Sequence, residues 1–349
     1  MQTILFISVL ATLLGVAYGW AFKHLPHERW QILGTIPIRK QPDGQWLGLN
    51  LTYYGLINAC SVTFALLMTL ILLAAVGLPL MAILLICCGM LMVCAPGAKW
   101  IAYWVEHKKH TFTIGGAAFI GLIGAPLLLA ALRPIAMNGW EVNLPVMPIV
   151  AAMAIGYAFG EGSGRLACLS FGCCYGKPID RLPGWLRRTA SLFSVVFQSE
   201  TKKAVYAGGF NGRKILAVQA ITAVVYTSAG LLGVYLFLEG HHAGAYLVCT
   251  LVTQIWRCLS EFLRADYRGG GKISAYQYLA AIAAAAAVVY SLVLPGSDIC
   301  ADLALGLAIL WRPEVIVIAH LLWTVIFIYM GRSKITAARI SLYVKTDRI

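Results

Sequence analysis

The sequence predicts an all-α fold: a polytopic transmembrane helical bundle of roughly eight to nine spans, with short re-entrant or interfacial segments. Three observations carry this. Of the 349 residues, 60% are hydrophobic, and mean hydropathy is +0.79. Only 12% are charged, about half the share of an ordinary soluble domain. Apolar runs of about 20 residues, the length that crosses a bilayer, recur from one end of the chain to the other.

The first run lies near 3–22. Met1-Gln2-Thr3 lacks the basic residues that open a cleaved signal peptide, so this run is expected to be a retained helix. A polar stretch from Lys23 to Leu49 follows. Runs near 51–76 and 79–105 are joined by a short turn at Gly77 to Pro79, and runs near 113–136 and 145–168 come next. The polar segment Gly176 to Lys214 separates these from runs near 215–238, 243–264 and 276–294. The last contains the helix-forming alanine run Ala280 to Ala287. Leu303 to Trp311 is apolar but too short to span, and Arg312-Pro313 breaks it, so a re-entrant or interfacial piece is expected there. The final run lies near 314–331. This divides the chain into an N-terminal helix with an interfacial loop (1–50), a membrane core (51–294), and a C-terminal re-entrant segment, helix and basic tail (295–349).

Net charge is +13, from 27 Lys and Arg against 14 Asp and Glu. The basic residues are spread over loops between apolar runs, which excludes a nucleic-acid partner and points to membrane topology and anionic headgroups. Loops assigned alternately to two sides divide unequally. Segments 23–50, 106–112, 169–214, 264–275 and the tail after 331 hold nearly all the lysines and arginines, while the other side holds little beyond Arg133 and Arg312. By the positive-inside rule the first side would be cytoplasmic. Six of the ten cysteines, Cys60, Cys87, Cys88, Cys94, Cys249 and Cys258, lie inside apolar runs, where cysteine behaves as a small hydrophobe. No secreted disulfide framework is implied.

Ionisable residues inside spans are costly and mark candidate sites. The stretch Gly162 to Pro178, GSGRLACLSFGCCYGKP, places Arg165 near the end of a span with Gly160, Gly162 and Gly164 beside it. The glycines would let a backbone or a phosphate approach closely. Arg165 would then clamp a phosphate, with Tyr175 and Lys177 in the same segment; alternatively it snorkels to the interface. Cys168, Cys173 and Cys174 lack the second ligand pair that zinc wants, and His107, His110, His241 and His242 are scattered. No metal or other cofactor is expected. Cys173 or Cys174 could be a nucleophile activated by a nearby cation, or could simply pack small.

A second group, Arg257, Glu261 and Arg264, has helical spacing of four and three and so shares one face. Glu261 between two arginines would stay ionised and orient Arg257 toward a phosphate, or serve as a base where partly desolvated; a structural ion-pair ladder is the alternative. Tyr53-Tyr54-Gly55 opens the second span, where tyrosine commonly anchors a helix at the interface.

These pieces, in this order, resemble the bacterial phosphatidylglycerol–prolipoprotein diacylglyceryl transferase family over roughly residues 50 to 290. Tyr54-Gly55 matches the family's Tyr-Gly at a helix start. Phe112-Thr113-Ile114-Gly115-Gly116 matches its Ser-Phe-His-Gly-Gly-like element. Its signature Gly-Arg-x-Gly-Asn-Phe-x-Asn-x-Glu-x-x-Gly aligns without gaps on Gly164 through Gly176, and its Arg-x3-Glu-x2-Arg helix on Arg257, Glu261 and Arg264.

The resemblance implies a transferase that takes diacylglyceryl from phosphatidylglycerol and releases glycerol phosphate. Arg165, Arg257 and Glu261 would act in catalysis, with Cys173 and Cys174 beside them. Tyr54, Gly115, Gly116, Gly164, Gly176, Lys177 and Arg264 would bind substrate. Departures point to an altered reaction or acceptor. The family histidine before Gly-Gly is Ile114 here, its asparagine is Cys168 and its glutamate is Cys173; Leu216-Ala217 stand where it has His-Pro. The expected partners are an anionic phospholipid donor, membrane lipids, and an acceptor that could be a protein thiol, a glycan or a lipid. A lipid-binding or lipid-translocating protein without chemistry is the alternative, and a redox or metal enzyme built on Cys168, Cys173 and Cys174 is a third. The resemblance implies the bacterial cytoplasmic membrane with the site on its outer face, against the charge distribution. The two indications leave the face open, with a lean toward the family arrangement.

Overall fold

The computed structural model describes residues 1–106, 114–137, 144–267, 273–297 and 299–349. Phe112 and Thr113 of the element that ends in Gly115-Gly116, with His107 and His110, lie outside them. The helices are α1 (Gln2–His24), α2 (Tyr53–Ala75), α3 (Leu80–Glu106), α4 (Ile114–Met137), α5 (Val146–Phe171), α6 (Gly184–Leu192), α7 (Lys203–Tyr206), α8 (Val218–Leu238), α9 (His242–Leu263), α10 (Ala275–Val293), α11 (Leu303–Ala308) and α12 (Pro313–Gly331). Among the described residues, eight helices are long and apolar enough to cross a membrane: α1, α2, α3, α4, α5, α8, α10 and α12. The expected span near 243–264 forms α9, of spanning length but with a polar stripe. Leu303 to Trp311 folds as the short helix α11 and a following turn, packed on α2.

The bundle is arranged around α5, which packs against α2, α8 and α9. In their most apolar windows, α5 is 78% buried and α1 only 11%, so α5 is the axis and α1 presents itself to lipid. Small residues make the central contacts, as expected where lipid removes the hydrophobic drive between helices and close packing must hold them. A Cβ on Gly156 would lie 2.1 Å from Thr69 Oγ1, and one on Gly160 would lie 2.7 Å from the Ala65 Cβ. Gly162 faces α8, where a Cβ would meet Thr227 Oγ1 at 3.0 Å. Of the two approaches expected at these glycines, a backbone or a phosphate, Gly160 and Gly162 take the first and are helix-packing glycines. Gly164 alone of the three has ordinary clearance, 3.9 Å to Asn58 Oδ1. Gly55 has a similar structural role: a Cβ there would fall 2.1 Å from Gly331 Cα, where α2 crosses the end of α12.

Strands lie outside the spans: in the N-terminal loop, between α5 and α8, and in the C-terminal tail. Strands β1 (Ile32–Lys40), β2 (Trp46–Thr52), β3 (Ser194–Val196), β4 (Lys214–Leu216) and β5 (Arg332–Ile340) form two small antiparallel sheets, ordered β1-β2-β5 and β3-β4. Asn50 on the middle strand accepts from Thr35 at 2.8 Å and donates to Thr336 at 3.1 Å, tying the N-terminal loop to the C-terminal tail. Lys202 is fully buried beneath this end, donating to the carbonyls of Leu25 (3.2 Å) and Ser170 (2.5 Å). It therefore pins the polar segment 173–214 to the ends of α1 and α5. Burial pushes its ammonium down from 10.5 to about 8.

Candidate functional site

Helix α9 explains how buried charge is assembled. Thr250, Thr253, Gln254, Arg257 and Ser260 recur at helical spacing and are buried, while Val252, Ile255, Leu259 and Phe262 are exposed. The polar stripe thus turns inward and the apolar stripe turns to lipid. Trp256 fixes the rotation by donating to Thr222 on α8 at 2.8 Å, and Tyr226 on α8 donates to the Thr253 carbonyl at 2.8 Å.

Facing that stripe, α5 supplies Tyr157, Glu161 and Arg165, four residues apart and so on one face. Glu161 is 4% exposed. Its carboxylate accepts from Arg165, from Arg257 and from the Tyr157 hydroxyl. Arg257 also donates to the Tyr157 oxygen at 3.1 Å. One carboxylate therefore serves two guanidiniums, and each engages it through Nη2. The Nε atoms of Arg165 and Arg257 are buried with no hydrogen-bond partner among the described residues. Buried donors of this kind are uncommon and call for a partner.

Arg264, just beyond α9, is compensated differently. It donates to both carboxylate oxygens of Asp266 (2.8 and 2.7 Å) and lies 3.4 Å from Glu261. Among the described residues, the unbalanced positive charge is therefore at Arg165 and Arg257. The expectation that Glu261 orients Arg257 is corrected: Glu261 pairs with Arg264, and the carboxylate on Arg257 is Glu161 from another helix.

Arg165, Arg257, Glu261, Arg264 and Cys174 line one cavity with Gln219 and Tyr226. Gly115 lies against the site, since a Cβ there would be 2.8 Å from Arg257 Nη1. Gly116, the next residue, is buried. Gly176 bridges Arg264 backbone to backbone, and its Cβ would strike the Leu216 carbonyl at 2.4 Å. Lys177 enters through its backbone, donating to the Leu263 carbonyl at 2.9 Å; its side chain does not line the cavity. Tyr54 packs its ring on Phe171, centroids 5.6 Å apart, within electrostatic range of Arg165 and the three thiols.

On the other side of Glu161 an apolar cleft of about 360 Å³ opens between α2, α3, α4 and α5. Its floor is Tyr157, Gly160, Glu161 and Gly164, and Asn58, Leu66, Met90, Leu91 and Leu122 are among its walls. The volume is in the ligand-pocket range of about 300–1,000 Å³, and the lining suits hydrocarbon.

At the end of α5 the chain reverses sharply. Gly172 (φ +75°) caps the helix, and Cys174 (φ +55°) is also left-handed, an uncommon conformation for a residue with a Cβ. Two such turns around Cys173 bring its thiol and those of Cys174 and Cys168 within 4.8 Å of one another. Hydrogen bonding to the neighbouring thiols, that of Cys168 first, and burial push the Cys173 thiol well above the ordinary cysteine value.

Glu161, Tyr157, Asn58 and Gln254 are site residues that the sequence reading missed. For Glu161 a signal was present: a carboxylate inside an apolar run, four residues before an arginine.

The chain was compared with known proteins. A family model described as prolipoprotein diacylglyceryl transferase matches residues 45–293. Among curated proteins, the chain is similar to phosphatidylglycerol–prolipoprotein diacylglyceryl transferase 2 of Clostridium perfringens (strain 13 / Type A), 25% identical over 170 residues. That match covers 48% of this chain and 56% of the relative, so the chain spans little more than half of the relative's length.

Proposed function

Because this chain belongs to the prolipoprotein diacylglyceryl transferase family, we propose that it is a phospholipid-dependent membrane transferase. The donor in this reading is an anionic glycerophospholipid such as phosphatidylglycerol. Its acyl chains occupy the apolar cleft beside Glu161, and its phosphate meets the Nε atoms of Arg165 and Arg257. The observation that carries the reading is that pair of buried, unpartnered donors on two guanidiniums that share one carboxylate.

Transfer breaks the bond between a glyceryl carbon and the phosphate oxygen. The electron pair leaves with glycerol phosphate; the acceptor's thiol or hydroxyl bonds the carbon and releases its proton. A preorganised cationic site holds the charge that develops on the leaving phosphate, which lowers the need for a strong acid. In this reading Tyr54, packed on Phe171 and within electrostatic range of Arg165, hydrogen-bonds the headgroup. Glu261 and Asp266 keep Arg264 in place at the rim. Ile114 and Cys173 stand where the family resemblance has histidine and glutamate, which favours an acceptor other than a prolipoprotein cysteine. The protein would lie in the bacterial cytoplasmic membrane with this site on the outer face.

The same two replacements support a second reading, in which the phosphate clamp persists and the chemistry is lost. Incubating the purified protein with phosphatidylglycerol vesicles and a membrane extract separates the two. Transfer predicts soluble glycerol phosphate and a new lipid-modified product by mass spectrometry. Co-purified phosphatidylglycerol with neither product overturns the transferase reading in favour of lipid binding.

A further inference from the structure

We propose that Cys168, Cys173 and Cys174 form a binding site for a thiophilic d10 cation, Zn²⁺ or Cu⁺, at the end of α5. The spacing Cys-x4-Cys-Cys does not by itself suggest a metal. The folded backbone does. Zinc–sulfur bonds of about 2.3 Å in a tetrahedral or trigonal site set the sulfurs about 3.8–4.0 Å apart. Cys168 Sγ and Cys174 Sγ are 3.9 Å apart, and all three sulfurs lie within 4.8 Å. Ligation therefore needs a contraction of under about 1 Å, which side-chain rotation supplies.

Three further features favour this cluster as a built site. The left-handed backbone at Cys174 is a conformation that a cysteine needing only to pack would avoid, and strain of this kind is concentrated at functional positions. Gln219, 1% exposed, holds the turn by donating from Nε2 to the Cys173 carbonyl at 2.7 Å. Charge also balances: three thiolates around Zn²⁺ carry a net −1. The Arg165 guanidinium, one of the two that share Glu161, lies in electrostatic range of Cys174 and Cys168 to offset it. Soft thiolate donors select Zn²⁺ or Cu⁺ over hard cations such as Mg²⁺. The ion would clasp Cys168 in the helix to the reversal after it, and so hold the segment that carries Arg165. A tetrahedral ion would keep one position for water.

The proposal does not depend on the transferase reading, because its readout is metal and not turnover. Purified chain, stripped with chelator under reducing conditions, is titrated with ZnCl2 against a chromophoric zinc chelator, and separately with Cu⁺ against a copper(I) chelator. The expected result is one equivalent of one of the two ions per chain, lost at least about 100-fold in affinity in Cys168→Ser, Cys173→Ser and Cys174→Ser and retained in Cys88→Ser. Should a serine variant fail to fold, the wild-type chain supplies the same test. Bound ion should protect these three cysteines, and not Cys88, from maleimide, as read by peptide mass spectrometry. No stoichiometric binding of either ion, or binding that survives all three substitutions, overturns the site.

Discussion

Glu161→Gln is the substitution that the geometry of the site makes most informative. It keeps the shape of a side chain that is 4% exposed while removing the charge and one acceptor oxygen. The carboxylate accepts from Arg165, Tyr157 and Arg257, the last through both oxygens. An amide offers one oxygen, and its NH2 group would face donors. Two buried guanidiniums then lose their counter-charge. Removing one partner of a buried ion pair costs about 3–5 kcal/mol, and the variant should be destabilised by about that much. If these arginines form a phosphate site, an anionic lipid should refill it. Saturation to about 100 times Kd returns roughly 2.7 kcal/mol, over half the loss. The assay is thermal unfolding in a neutral detergent, read by fluorescence-detected size exclusion, with phosphatidylglycerol or a zwitterionic phospholipid added. The variant should melt well below wild type and recover far more with phosphatidylglycerol. A variant that melts with wild type, or that both lipids stabilise equally, refutes the reasoning.

Lys202 predicts a pH dependence. Its folded value, about 8, lies below the 10.5 of an exposed lysine, because burial disfavours the charge. Below about pH 8 both states are charged and the folded state bears the full cost. Between about 8 and 10.5 the folded state releases the proton and the unfolded state keeps it, so stability should rise by up to ~3 kcal/mol. Melting of wild type minus that of Lys202→Met, from pH 7.5 to 10, should climb; a flat or falling difference contradicts it. Orientation is testable at the exposed C-terminus, which shares an end of the bundle with the site through the pairing of β5 with β2. Alkaline phosphatase fused after Ile349 should be active if the site faces outward, and its inactivity would favour the arrangement that the charge distribution implies.

The spans were legible because lipid leaves the sequence little freedom: a crossing helix must be apolar for about 20 residues. Arg165 and Arg257 were legible for the same reason, since charge within a span needs a purpose. What was not legible is tertiary. Glu261 has ideal local spacing to Arg257, yet Arg257 takes Glu161 from α5, because the inward face of α9 is set by packing on α5 and α8. The small sheet joins Trp46 to Ile340, a pairing across most of the chain that no local pattern announces. Gly160 and Gly162 could admit a backbone or a phosphate and fill close helix crossings, a choice that depends on knowing which helix lies opposite. The three thiols meet only because Gly172 and Cys174 turn the backbone left-handed, and spacing alone carries no trace of that.

The proposed role of Arg165 and Arg257 is to hold the phosphate of the lipid donor while its ester bond breaks. It is tested most directly by the release of headgroup-labelled glycerol phosphate from phosphatidylglycerol by purified wild type and by Arg257→Ala, matched for folded protein by size exclusion. Loss of a preorganised donor to a developing anion costs about 100- to 1,000-fold. Steady release by wild type and a fall of at least about 100-fold in the variant are expected. Release by Arg257→Ala at the wild-type rate would contradict it.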